Sequence, residues 1–294
     1  MKEIFAPSAA RQRGLLIALA GVAAIVPDGL LVRLVETDSW TLVFWRGALS
    51  AVAISLGLVV IQRRGSIAHF TAIGGVGLAI AVLFAAGAIC FVFAINLTKV
   101  ANVLFIVSTT PLYAAIYSKV FLKERVPRRV WIAIGLSLIG ITLICSSSFS
   151  AGNTSLLGDT LALLAAMSLA GTLCLARQAR SVSMVPAMAV AGVVYALVAL
   201  PFAAPLSLDA SDVLWLALMG LGSVPLGFSL LTLSARYLPA PEVSLMILLE
   251  AVLGPLLVWL VLAEYPGNIA LLGGAVVVTT LVVLNLAARR DLSG

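Results

Sequence analysis

Ten apolar runs divide the chain, at approximately 14–34, 40–62, 70–95, 100–121, 130–146, 157–178, 184–204, 213–235, 240–262 and 267–288. An α-helix rises 1.5 Å per residue, so about 20 apolar residues cross a bilayer. Nearly every run meets that length, with 130–146 at the short end. The polar connections between them are short, and none is long enough for a soluble domain. The pattern predicts an all-α polytopic membrane protein with ten transmembrane helices. The opening MKEIFAPSAARQR imitates a secretory signal, but nine further runs follow it, so the first run is expected to be a retained span.

The charged residues between the runs orient them. Lys2, Arg11 and Arg13 precede the first run, and Arg63 and Arg64 follow the second. Lys119, Lys123, Arg125, Arg128 and Arg129 surround the fourth-to-fifth connection, and Arg177, Arg180, Arg236, Arg289 and Arg290 fall on the same side of an alternating path. That side holds 15 of the 18 basic residues, whereas Glu36, Asp38, Asp209, Asp212 and Glu264 lie opposite, with Lys99 the main exception. The positive-inside rule places both termini in the cytoplasm.

Five spans per half is an odd number, so the second half enters the membrane inverted, as in inverted-repeat transporters. The expected organisation is a cytoplasmic segment 1–13, a first repeat 14–146, an external linker 147–156, a second repeat 157–288 and a cytoplasmic tail 289–294. ANVLFIVSTTPLYAAIYSKVFLKE (101–124) overlays PEVSLMILLEAVLGPLLVWLVLAE (241–264) without a gap, with Val103, Leu122 and Glu124 identical to their counterparts. The shared hydropathy and the five-plus-five count carry more weight than these few identities.

Composition agrees with a lipid environment. Of the 294 residues 62% are hydrophobic and 10% charged, with mean hydropathy +1.18, against about a quarter charged in soluble domains. The net charge of +6 would suggest nucleic acid in a soluble protein. Here the basic residues sit between apolar runs and signal membrane orientation instead. Cys90, Cys145 and Cys174 are scattered and odd in number, against a disulfide framework or zinc site. One histidine, His69, makes no metal site, and no cofactor motif or ATP-binding G-x-x-x-x-G-K-[ST] loop occurs.

Three stretches resemble a known superfamily. VFWRGALSA in the second run, with Arg46, resembles the start of that helix in the drug/metabolite transporter superfamily, EamA type. LFIVSTTPLYAAIYSKVFLKERV resembles its fourth helix, and EVSLMILLEAVLGPLLVWLVLAEYP its ninth, with Glu250 and Glu264 in the usual places. The resemblance covers essentially the whole chain. It implies ten helices in two inverted five-helix repeats and export of small metabolites by alternating access. The nearest branch is the amino-acid exporters, including the YddG-type aromatic amino-acid exporter. Many relatives carry a Trp-Gly pair in the first helix where this chain has VPDG, which weakens transfer of site details there. A multi-pass protein of a prokaryotic inner cell membrane is expected.

Ionisable groups inside spans are rare and costly, and each is a candidate for function. Asp28 and Arg46 both lie about six residues inside the outer ends of neighbouring spans, roughly 9 Å deep at 1.5 Å per residue. They are placed to pair, either as part of an outer gate or zwitterion site or as a fixed bridge within the first hairpin. Pro27 and Gly29 flank Asp28. Such interruptions concentrate where helices line a cavity, and the alternative is a simple bend around a neighbour. Glu250 lies near the middle of the ninth run, opposite Thr110 on the repeat overlay. A carboxylate there can couple transport to protons or accept the ammonium of an amino acid, and its bland alternative is a bridge between helices. Glu242, nearer the cytoplasm, is expected to be interfacial.

Phe84, Ser108, Thr109, Tyr113, Tyr195 and Ser223 could complete a pocket, with Pro27, Gly29, Pro111 and Pro225 as hinges. An apolar pocket with few polar anchors suits an aromatic or aliphatic amino acid. Singly, each aromatic is as well explained by packing.

An intramembrane enzyme would need a nucleophile–base pair or metal ligands at depth. No run holds a histidine, and GFS at 227–229 does not continue into G-x-S-x-G. A channel would show a charged ring or carbonyl-filter motif, and neither occurs. A non-enzymatic secondary transporter is the expectation, with the bilayer and a small-molecule substrate as its partners. The oligomeric state is left open by the sequence.

Overall fold

All regular structure among the described residues is helical. The computed structural model describes residues 8–62, 70–98, 100–146, 155–204, 208–262 and 268–290. Lys2, Arg63, Arg64, His69, Lys99, Glu264 and most of the 147–156 linker lie outside these segments.

Each apolar run coincides with one helix or with successive helical pieces. The first run is split into α1 (Ser8–Ile25) and α2 (Asp28–Leu34). The second and third are α3 (Ser39–Gln62) and α4 (Gly74–Leu97). The fourth is split into α5 (Val100–Val107) and α6 (Thr110–Val120), and the fifth is α7 (Arg128–Ser146). Then follow α8 (Leu156–Gln178) and α9 (Val185–Ala199). The eighth run is α10 (Ala210–Ala217), a π-helical turn (Leu218–Ser223) and α11 (Val224–Ser234). Last come α12 (Ala240–Leu262) and α13 (Asn268–Arg290). By length and composition seven stretches could cross a membrane, among them Ser39–Val60, Gly74–Leu97 and Ala240–Val261, while Val185–Ala199 and Leu271–Leu284 are shorter apolar helices.

Helices apolar on all sides gain little from hydrophobic burial against one another in lipid, so close backbone approach decides their packing. The four most extensive pairings are α4 with α8, α3 with α9, α7 with α13 and α1 with α11. Each has a glycine at the crossing. A Cβ on Gly47 would stand 2.6 Å from the Gly192 carbonyl, one on Gly140 2.8 Å from the Gly273 carbonyl, one on Gly87 2.9 Å from Ser168, and one on Gly227 2.9 Å from Ile25. Counting the ten runs in order, α1–α11 joins the first to the eighth and α4–α8 the third to the sixth. A shift of five runs exchanges these two pairs and maps α3–α9 and α7–α13 onto themselves.

Polar contacts define the two ends of the bundle. At one end the start of α1 meets the start of α12 through Arg11 and Glu242, and the end of α8 meets the segment after α6 through Arg177 and Glu124. At the other, Glu36 after α2 donates its amide to Asp212 of α10, Asn96 of α4 reaches Ser39 of α3, and Thr98 bonds Asp159 of α8. The helices therefore alternate in direction along the chain.

Candidate functional site

The site begins with the break in the first run. Proline has no amide to donate, so at Pro27 the helix hydrogen-bond ladder loses a rung. Val26 still bonds the Val22 carbonyl at 3.0 Å, and α2 resumes with Asp28 as its first residue. The Ala24 carbonyl beside the break is taken by the Ser223 hydroxyl at 2.6 Å. Ser223 is thus committed to the backbone of α1. It ends the π-helical turn, in which Val224 donates to the Met219 carbonyl five residues back, just before Pro225. The wider turn accommodates a proline that would otherwise clash with the preceding turn.

Placed at the head of α2, the Asp28 carboxylate faces α3. Arg46 Nη2 donates to Asp28 Oδ2 at 2.8 Å, with each side chain only 6% accessible. Arg46 Nη1 lies 3.8 Å from the Met219 sulfur, so the π-helical turn also touches the guanidinium. Asp28 Oδ1 is buried and has no hydrogen-bond partner among the described residues. Glu250 on α12 lies within electrostatic reach of both Asp28 and Arg46. Glu250 is half-buried, and α12 packs against α2.

The other candidates differ in burial and partners. Phe84 of α4 packs edge-on against Phe228 of α11, with ring centroids 4.7 Å apart, and Phe228 is half-buried. Tyr113 on α6 is also half-buried. Tyr195 is only 1% exposed and donates its hydroxyl to the Arg46 carbonyl at 3.3 Å. It supports the α3 backbone behind the ion pair rather than lining an open space.

Ser108 and Thr109 sit in the break between α5 and α6, and their hydroxyls donate to the carbonyls of Leu104 and Ile106. Pro111 cannot bond the Val107 carbonyl, and the Thr110 hydroxyl takes that acceptor at 2.6 Å instead. These polar groups satisfy the broken backbone, as membrane burial requires. Thr110, the overlay counterpart of Glu250, is one of them. Gly29 lies inside α2, directly after Asp28.

Glu242 lies in the first turn of α12, at one end of the bundle. It is 4% exposed and accepts a 2.8 Å hydrogen bond from Arg11. Sequence reasoning also passed over Arg177, which donates to Glu124 Oε1 and to the Arg236 carbonyl, both at 3.2 Å. Both partnerships were within reach of the depth matching that paired Asp28 with Arg46, since Arg11 and Glu242 each lie just inside the same end. Met219 and Phe228 carried no such signal. Among the described residues no three His, Cys, Asp or Glu side chains gather to hold a metal ion.

The model of the EamA-like transporter family matches twice, over residues 12–146 and 156–286. The uncharacterized transporter YdfC of Bacillus subtilis (strain 168) is 29% identical over 181 residues, 59% of this chain. That alignment spans 58% of the relative's own length. One solved crystal structure shares the fold with a TM-score of 0.79 over 95% of this chain and 99% of its own, at 16% identity.

Proposed function

The chain belongs to the EamA-like transporter family, and we propose that it exports small metabolites, foremost amino acids with aromatic or other apolar side chains, by alternating access. The observation that carries the substrate class is the cluster of Asp28, Arg46 and Glu250. Among the described residues Asp28 Oδ1 has no hydrogen-bond partner, and Glu250 lies within electrostatic reach of the ion pair. A substrate ammonium supplies the missing donor. Phe84, Phe228 and Tyr113 then offer the apolar and aromatic surface that a side chain such as phenylalanine's would meet.

Two inverted five-helix repeats, 14–146 and 157–288, are the framework for this motion. The double match of the family model and the helix pairings that survive a shift of five runs support it. So does the break in α1–α2 beside the trio, since transporters place interrupted helices at their binding sites. The charge bias supports cytoplasmic termini, and the bacterial relative supports a prokaryotic inner membrane. Glu250 is the residue on which proton coupling would act. A different small metabolite or drug carried in the same fold is the second reading, favoured by how few ionisable groups lie near Asp28, Arg46 and Glu250.

The test is flux in proteoliposomes across a panel of amino acids and other metabolites, with and without a proton gradient. Saturable uptake of an aromatic amino acid, accelerated by the same amino acid on the opposite side, is expected. Saturable flux of other metabolites with no amino-acid transport would replace the substrate class, and non-saturable flux would point to a channel.

A further inference from the structure

The two halves of the chain pack alike closely enough for each to serve as a control on the other. A Cβ on Gly14 would stand 3.0 Å from Leu238, and one on Gly158 would stand 2.8 Å from Thr98. The separations that relate these two contacts also relate two more: Gly227 against the Gly21 carbonyl at 3.2 Å, and Gly87 against the Ala165 carbonyl at 3.6 Å. Leu31 with Leu175 and Arg33 with Arg177 keep the same spacing in the sequence beyond Pro27. That spacing carries Asp28 onto Thr172. Gly47 and Gly192 each approach the other's carbonyl, which sets Ala191 at the counterpart of Arg46. Thr172 and Ala191 are buried. The same crossings thus close in the other repeat with no charge at the equivalent points, so packing alone does not require the Asp28–Arg46 pair.

Each member of that pair is strongly engaged on one side only. Arg46 Nη2 serves Asp28 Oδ2 at 2.8 Å, whereas Nη1 meets the Met219 sulfur at 3.8 Å. A thioether is a weak acceptor, and a carboxylate is a far stronger one for a guanidinium nitrogen. Asp28 Oδ1 has no partner among the described residues. Met219 reaches the guanidinium from the π-helical turn, whose Gly220 lies against α3 one turn along from Arg46. A Cβ on Gly220 would stand 2.6 Å from Leu49. In the first repeat the equivalent of Met219 is Ala79, within the regular helix α4. Methionine is unbranched and adaptable, a side chain suited to giving way to an incoming group.

We infer that Arg46 Nη1 is the subsite for the carboxylate of an amino-acid substrate, taken as Met219 moves aside, while Asp28 Oδ1 receives the ammonium. This rests on the amino-acid reading above and narrows it, because the substrate must carry both groups close together. An α-amino acid zwitterion is neutral overall, and so is the ion pair. Four alternating charges then meet with no net charge buried, which limits the desolvation cost. An amine without a carboxylate leaves Nη1 to the thioether, and an acid without an ammonium leaves Asp28 Oδ1 unserved. A site that hydrogen-bonds a substrate group rejects analogues lacking it, since its own buried group stays unpaired.

The test is uptake of labelled phenylalanine in proteoliposomes, with phenylethylamine and hydrocinnamate as competitors. In the parent each should inhibit roughly tenfold more weakly than unlabelled phenylalanine, the effect of one lost interaction of about 1.4 kcal/mol. Arg46→Lys keeps a charge for Asp28 but loses the forked donor. It should erase most of the preference over phenylethylamine and retain the preference over hydrocinnamate. Met219→Gln sets an amide oxygen, a better acceptor, where the sulfur was, so that the protein competes with the substrate for Nη1. It should raise KM for phenylalanine and leave inhibition by phenylethylamine as in the parent. A pair that only braced the helices would change the amount of folded protein and leave these ratios alone. Equal inhibition by phenylalanine and phenylethylamine in the parent, or parental ratios in both variants, overturns the carboxylate subsite and keeps the amino-acid reading. Saturable flux of other metabolites without phenylalanine flux overturns that reading, and the subsite with it.

Discussion

Asp28 and Arg46 are joined at 2.8 Å between α2 and α3, and Pro27 is what puts the carboxylate there. An unbroken helix would continue its ladder through residue 28. The proline ends α1 and makes Asp28 the first residue of a new helix, with the Ser223 hydroxyl on the Ala24 carbonyl beside the break. Asp28 then sits at the positive end of α2's dipole, where a carboxylate is favoured. Backbone interruption, acidic residue and arginine form one device.

Neutralising one member of that pair strands the other in a buried site, at a cost of about 3–5 kcal/mol. Asp28→Asn and Arg46→Gln should each lower the thermal stability of the purified protein in lipid. The double variant should recover part of the loss, because it leaves no orphan charge. A thermodynamic cycle in which the two losses simply add would remove the direct coupling.

The crossing of α3 and α9 is limited by backbone contact. A Cβ on Gly47 would meet the Gly192 carbonyl and the Tyr195 ring, each at 2.6 Å. Gly47→Ala should therefore cost about 1–3 kcal/mol, the range for overpacked sites. Gly57 on the same helix has nothing within 4 Å of its added Cβ. There Gly57→Ala should be neutral or stabilise by up to about 1 kcal/mol through helix propensity. Equal melting temperatures for the two variants would contradict this account of the crossing.

The ten helical runs were legible because apolar periodicity and length report directly on a lipid solvent, and Asp28 with Arg46 was legible because charges at matched depth have few alternatives. The break at Ser108 and Thr109 was less so. Pro111 announces a missing donor, but whether a helix bends or separates depends on which side chains take the freed carbonyls, here Thr110 and its neighbours. The π-helical turn at Leu218–Ser223 is set by contacts with α1 and α3, which no local pattern encodes. Tyr195 looks like a pocket aromatic in sequence, since only packing against Gly47 decides which way its ring turns.

Asp38 caps α3, accepting from the backbone amides of Trp40 at 2.9 Å and Thr41 at 3.1 Å. Slight burial raises its pKa, but hydrogen bonds from the Thr41 hydroxyl and the two amides outweigh this and hold the carboxyl below its ordinary 3.8. A depressed folded pKa contributes stability above the ordinary carboxylate value, lost as pH falls through the lower folded one. Asp38→Ala should cost about 1 kcal/mol near neutrality, as for other lost N-caps. The difference from the parent should shrink in acid below the carboxylate range. A constant difference across that range in thermal melts would refute the charged cap.

The charge bias predicts which end faces the cytoplasm. Reporter fusions at Arg128 and Arg180 should register as cytoplasmic, and a fusion at Asp209 as external. Arg180 and Asp209 lie in short connections and Arg128 is the first residue of α7, so each fusion falls at a helix end. If Asp209 reports the same side as Arg180, five inverted spans per half cannot stand.

Glu250 separates a transport role from a structural one. It sits half-buried on α12 within electrostatic reach of Asp28 and Arg46. Glu250→Gln keeps the size and hydrogen-bonding shape of the side chain while fixing it neutral. Were the carboxylate only a bridge between helices, the variant would lose stability and leave transport per folded molecule unchanged. In the role proposed here it should assemble normally and transport differently. A ligand role predicts a rise in KM for the amino acid, roughly tenfold for an interaction of about 1.4 kcal/mol. A proton-carrying role predicts a flattened pH dependence and loss of acceleration by an imposed proton gradient, with KM little changed. Flux measured in proteoliposomes over a range of pH distinguishes the two. A folded Glu250→Gln protein with parental rate, KM and pH profile would return Glu250 to the scaffold and leave its carboxyl no part in substrate binding.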